Sequence, residues 1–155
     1  MSDRPRHTNR QADFSCGVIP LWSDGAGQLQ FLLVKHHAGH WAFPKGHPES
    51  GETHIVTARR ELVEESGVEL RQLISSPVFV ERYDFRGREG IVIDKTVHYY
   101  LGVAGSTESS PQESEIAELA WLNAEATRER ISFDACRAMF DQALAWLKAN
   151  PSAWR

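Results

Sequence analysis

This chain is poor in several things, and each shortage removes a class of protein. It has two cysteines, Cys16 and Cys136, far apart and outside any CxxC spacing. A disulfide framework or a zinc knuckle needs more, so two reduced thiols in a cytoplasmic protein are expected. No apolar run approaches the roughly 20 residues of a bilayer-crossing helix, so no membrane association is expected. The opening stretch MSDRPRHTNRQA lacks the apolar core of a secretion signal, and residues 1–12 read as a flexible polar tail. There is no sustained Lys/Arg stripe. With 17 Lys and Arg against 21 Asp and Glu the net charge is -4, which argues against a stable nucleic-acid partner. A small anion can still bind if metal ions and a few local cations neutralise it.

What remains is an ordinary globular composition in 155 residues, enough for one domain with a real core. Residues 13–150 are expected to form it, with 151–155 as a short tail. "SCGVIPLW" (15–22) and "QFLLVK" (30–35) read as strands joined by the turn-forming "SDGAGQ". After "WAF" the loop "PKGHPESG" carries two prolines and two glycines that interrupt regular structure. A helix is expected over 53–66, with Ile55, Ala58, Leu62 and Val63 on one arc, Thr53 as its cap and Gly67 as its stop. "PVFVERYDF" and "KTVHYYLGVAG" read as strands separated by "RGREGIVID", a hairpin or a mobile loop. In the second strand Val97, Tyr99, Leu101 and Val103 share a face. "LAWL" is a short strand, and Phe133, Cys136, Phe140, Leu144 and Leu147 recur at helical spacing up to Asn150. A mixed sheet with helices packed on it, an α/β sandwich, follows.

The expected helix contains "RRELVEESG", where Glu61, Glu64 and Glu65 place three carboxylates in five positions. Like charges at these spacings repel by roughly 0.2–0.5 kcal/mol per pair. At 100° per residue they occupy an arc that borders the apolar one, and the helix has no lysine to offset them. Mg2+ or Mn2+, which prefers hard oxygen ligands, would relieve that crowding.

The stretch from Gly46 to Val68, "GHPESGETHIVTARRELVEESGV", resembles the Nudix box, Gx5Ex7REUxEExGU with U aliphatic. Gly46, Glu52, Arg60, Glu61, Leu62, Glu64, Glu65, Gly67 and Val68 each fall in place. The resemblance implies the Nudix fold, an α/β/α sandwich, and Mg2+- or Mn2+-dependent cleavage of a pyrophosphate linkage in a nucleoside diphosphate derivative. It assigns metal binding to Glu61, Glu64 and Glu65, their orientation to Arg60, and a supporting role to Glu52. It also lets the Lys45 carbonyl face the metal. Glu61 or a carboxylate outside the box would be the general base.

Beyond the box, "CGVIPL", "QFLLVKHHAGHWAFPKGHPESGE", "KTVHYYLGVAG" and "ESEIAELAWL" are similar to the asymmetric diadenosine tetraphosphate hydrolases and related dinucleoside polyphosphate hydrolases. This implies ATP and AMP as products from diadenosine tetraphosphate. Lys45, His47 and Lys95 become expected phosphate contacts, Tyr83 and Tyr100 base-stacking residues, and Glu115 a further metal ligand or the base. Diphosphoinositol polyphosphates, ADP-ribose-like molecules and RNA 5' ends remain alternative substrates, and a nucleotide sensor without hydrolysis an alternative of another class.

Other residues read as structure. Trp41, Phe43, Tyr99 and Trp121 are expected in the core. His36, His37 and His40 have zinc-like spacing but lack a fourth ligand nearby, so a solvated loop is expected. Arg82, Arg86 and Arg88 form an exposed loop or a phosphate-closing cluster.

Overall fold

The structure is a computed structural model that describes residues 9–155. Seven strands form one mixed sheet: β1 (Arg10–Ser23), β2 (Leu29–His36), β3 (Trp41–Ala42), β4 (Lys45–Gly46), β5 (Leu70–Arg86), β6 (Val92–Ala104) and β7 (Ile116–Asn123). Along the sheet the order is β3-β2-β1-β6-β5, with β4 paired to β1 and β7 to β2. Strands β1 and β6 run parallel from Arg10↔Val92 to Leu21↔Val103, and every other pairing is antiparallel.

Helix α1 (His54–Ser66) covers one face, and α2 (Ala124–Arg130) and α3 (Asp134–Ala149) stand on the other side. Period-two alternation along β6 divides the core between the faces. Val97, Tyr99, Leu101 and Val103 pack with Phe140, Ala143 and Leu147 of α3, whereas Tyr100 and Ala104 pack with Ala58 and Leu62 of α1. This is the expected α/β sandwich. Phe43 and Tyr99 are fully buried, and Trp41 and Trp121 pack against the core.

The ends of α1 follow from its sequence. Thr53 Oγ1 accepts the Val56 N–H at 3.3 Å, and Gly67, at φ 69°, donates its N–H to the Val63 carbonyl at 2.8 Å. Left-handed backbone at that position favours glycine. Ala58 and Leu62 are buried as expected, but Val63 lies on the exposed side.

Several expectations are corrected. Residues 1–8 of the expected tail lie outside the described residues, but Arg10 to Ala12 belong to β1, because β6 reaches back to Val92 and offers them a parallel partner. Residues 151–155 are not a loose tail. A short 3-10 turn over Pro151–Ala153 brings in Trp154, which is buried and donates its indole N–H to the Leu147 carbonyl at 3.0 Å. Strand β5 begins at Leu70 rather than Pro77, with its pairing interrupted between Ile74 and Phe79. "RGREGIVID", by contrast, is the hairpin of the two expected forms, closing β5 onto β6 through a 3-10 turn over Arg88–Gly90. The unanticipated α2 is capped by Asn123, whose side chain accepts the Ala126 N–H at 2.8 Å. Phe133 precedes α3 and is exposed. No described helix is long and apolar enough to cross a membrane.

Candidate active site

Strand β4 lies antiparallel to β1, with Cys16 opposite Gly46 and Gly17 opposite Lys45. Both glycines are required by packing. A Cβ on Gly17 would meet the Pro44 carbonyl oxygen at 2.3 Å, and one on Gly46 would meet the Glu61 carboxyl carbon at 2.1 Å. The box glycine thus lets the Glu61 carboxylate lie flat against backbone.

The three helical glutamates are graded in burial by their angle around α1. Glu65 is 1% exposed, the Glu61 side chain 14% and the Glu64 side chain 46%. Glu65 Oε2 accepts the Lys45 N–H at 3.2 Å. Burial pushes its carboxyl up to about 8, the Lys45 cation opposes this, and Glu61 and Glu115 add to it. Burial also raises Glu61, against the pull of Arg60.

Arg60 ties the helix to the preceding loop. Its Nε and Nη2 donate to Glu52 at 2.8 and 3.0 Å, its Nη1 to Glu61 at 2.9 Å and Glu64 at 3.2 Å, and its Nη2 also to the His47 carbonyl at 2.9 Å. Glu52 further accepts the Glu49 N–H and the Thr57 hydroxyl. These bonds, that of Arg60 foremost, hold its carboxyl down near 2. Arg60 therefore partly neutralises Glu61 and Glu64 and fixes where they point.

These groups face a cleft of about 470 Å3 lined by Glu61, Glu64, Glu65 and Glu115 together with Lys45, Lys95 and His47. Glu115 arrives from the connector before β7, with its N–H bonded to the Gln112 carbonyl at 3.0 Å. Lys95 is only 7% exposed, with Nζ on Asp13 Oδ2 at 2.7 Å and Ser15 Oγ at 2.6 Å. Asp13 Oδ1 also meets His47 Nε2 at 2.9 Å. Nothing in the sequence pattern distinguished Asp13, whose two partners come from distant segments.

Tyr83 stands opposite Lys95 across the β5–β6 ladder and lines an adjoining hollow of about 380 Å3 with Arg82. Tyr100 does not reach the cleft: alternation along β6 sends it into the α1-side core, a correction to its expected stacking role. His36 corrects the solvated-loop reading. Its ring lines the cleft, its Nε2 is buried without a partner, and burial pushes it down to about 4. His36 stacks on His40 at 4.4 Å, and His40 lies 5.6 Å from the exposed Phe133 ring. The members of this aromatic column belong to two distant segments, so no local pattern reveals it. A larger cavity, about 680 Å3, lies at the other end of β1 and β6 beside Trp22, Arg71 and Trp154, and no carboxylate side chain lines it.

Among the described residues, no three His, Cys, Asp or Glu side chains are gathered tightly enough to hold a metal ion. The reason is local: Arg60 draws Glu61 and Glu64 while the Lys45 N–H holds Glu65. The donor chemistry nevertheless fits Mg2+ or Mn2+: the acidic groups facing the cleft are all carboxylates, hard oxygen donors, and one of them, Glu65, is buried beside Glu61 and Glu115.

A family model described as NUDIX domain matches residues 14–141. The chain belongs to the Nudix hydrolase family. Two relatives named bis(5'-nucleosyl)-tetraphosphatase (asymmetrical), from Rattus norvegicus and Mus musculus, are each 30% identical over 127 residues, spanning 80% of this chain and 84% of theirs. Among solved structures, a C. elegans Ap4A hydrolase binary complex aligns with TM-score 0.68 at 20% identity, covering 88% of this chain and 98% of that one. The NUDIX domain of Shewanella oneidensis NrtR, complexed with ADP ribose, aligns with TM-score 0.70 at 17% identity, covering 94% of each chain. These structural likenesses concern the fold.

Proposed function

We propose that the protein hydrolyses dinucleoside polyphosphates such as diadenosine tetraphosphate, with Mg2+ or Mn2+, to give ATP and AMP. The observation that carries this is the cleft itself, with Glu61, Glu64, Glu65 and Glu115 sharing it with Lys45, Lys95 and His47. The 30% identity to asymmetrical tetraphosphatases favours this substrate over other nucleoside diphosphate derivatives.

The four glutamates would hold the cation, with the Lys45 carbonyl beside them. When bound, the ion supplies charge neutralisation at the phosphates and polarises the attacking water. Arg60, itself locked by Glu52, orients Glu61 and Glu64. Glu115 or Glu61 takes the proton as the water oxygen bonds to phosphorus and the bridging P–O bond breaks. Lys45, Lys95 and His47 hold the polyphosphate. Tyr83, opposite Lys95, and the exposed Phe133 near His40 offer flat surfaces for a nucleobase. Both cysteines are buried free thiols, which suits a reducing compartment such as the cytoplasm.

The test is a substrate panel with each metal, with products separated by ion exchange. Diadenosine tetraphosphate should give ATP and AMP with the highest kcat/KM. Preference for another member of the panel would reassign the substrate while leaving the chemistry.

A further inference from the structure

The connector from Gly105 to Glu115 has almost no regular structure, yet it carries a carboxylate into the cleft. Two of its attachments bear on that carboxylate. Near its middle, the Ser110 N–H donates to the Ser66 carbonyl at 2.8 Å and the Gln112 N–H to the Glu65 carbonyl at 3.2 Å, at the end of α1. At its far end the partner is the turn after β2. The His37 N–H donates to the Glu115 carbonyl at 3.2 Å, and His37 Nε2 lies 2.6 Å from the Glu113 carbonyl oxygen. A carbonyl only accepts, so Nε2 carries the hydrogen, as it does in both the Nε2–H tautomer and the cation.

Two irregularities bring His37 there. The β2–β7 register shifts between Lys35↔Glu118 and His36↔Ile116, skipping Ala117, and such bulges re-aim the chain beside functional sites. The turn is then closed by the Gly39 N–H on the His36 carbonyl at 2.8 Å, with Gly39 at φ 104°. One histidine ring and one histidine backbone thus bracket the segment that ends in Glu115.

We propose that His37 is a positioning residue for Glu115, clamping residues 113–115 so that the carboxylate is held in the cleft. This rests on the reading of Glu115 as a metal ligand or base. His37 itself touches neither metal nor substrate.

The test uses the full chain with His37→Ala, His37→Gln, Glu115→Gln and the double variant His37→Ala/Glu115→Gln. Three readouts are compared: hydrogen exchange of the Glu115 and Ile116 amides in metal-free protein, Mn2+ affinity by electron paramagnetic resonance, and kcat/KM on diadenosine tetraphosphate. His37→Ala should speed exchange at both amides and weaken Mn2+ affinity and kcat/KM by about tenfold, the lower range for loss of a group that orients a metal ligand. His37→Gln, whose amide can donate to the same carbonyl, should recover most of each. In the Glu115→Gln background, His37→Ala should cost nothing further in Mn2+ affinity or kcat/KM. Unchanged exchange in His37→Ala, or losses that multiply in the double variant, would overturn the clamp. Wild-type Mn2+ affinity and turnover in Glu115→Gln would instead remove the role of Glu115, and the role of His37 with it.

Discussion

Gly46 leaves no room for one more carbon. Its missing side chain is where the Glu61 carboxylate sits, so Gly46→Ala must displace Glu61 or the strand beside it. Overpacking of this kind costs about 1–3 kcal/mol, and an ångström of displacement of a reacting group costs about 100-fold in rate. Melting and kcat/KM measured on the same preparation should show both losses. Glu65 makes the second residue-scale prediction. Its folded carboxyl sits near 8 against an ordinary 4.5, so the folded protein keeps a proton that the unfolded chain releases. That contribution to stability is complete below about pH 4.5 and is lost as pH rises through about 8. The raised Glu61 and Glu81 act in the same direction, whereas Glu52, held near 2, loses its contribution only in strong acid. Metal-free protein should therefore melt at lower temperature at pH 8.5 than at pH 5.5, and Glu65→Gln should flatten that decline in a calorimetric series.

At the scale of elements, α1 was the most legible because its signals are local. Thr53, Gly67 and the spacing of Ala58 and Leu62 all lie within one stretch, and the helix runs between the expected residues. Thr53→Ala should cost about 1 kcal/mol through the lost cap, read as a fall of about 2–4 °C in melting temperature. The strand ends were less legible because pairing, not composition, sets them. Arg10 to Ala12 are exposed and carry no large apolar side chain, and become strand only because β6 lies alongside. Helix α2 was readable in principle from Asn123 and the helix-forming residues that follow, but seven residues are too few for periodicity to declare itself. Tyr100 shows the converse limit: alternation was visible for Val97, Tyr99 and Leu101, and the same alternation excludes Tyr100 from the cleft.

At the scale of the whole molecule, the carboxylates could be read in the sequence because one helix carries three of them with Arg60 and Glu52 in the same motif, whereas the partners that reach in from distant segments could not. Asp13 meets Lys95 across 82 residues and His37 meets Glu113 across 76, separations that no local pattern encodes. The assembled cleft gathers five glutamates, Glu49 among them, around one small space, so a divalent cation should stabilise the entire fold. Millimolar Mg2+ should raise the melting temperature, and Glu61→Gln or Glu65→Gln should shrink that rise. A folded variant whose rise equals that of the wild type would remove the residue from the metal set. The most direct measurement of the central claim is the hydrolysis of diadenosine tetraphosphate in oxygen-18 water with Mg2+, comparing wild type with Glu65→Gln. The account predicts equal amounts of ATP and AMP, one oxygen-18 per cleavage event, and near-complete loss of turnover in a variant that remains folded. Equal turnover by the two proteins, or no product from folded wild type with either Mg2+ or Mn2+, would contradict it.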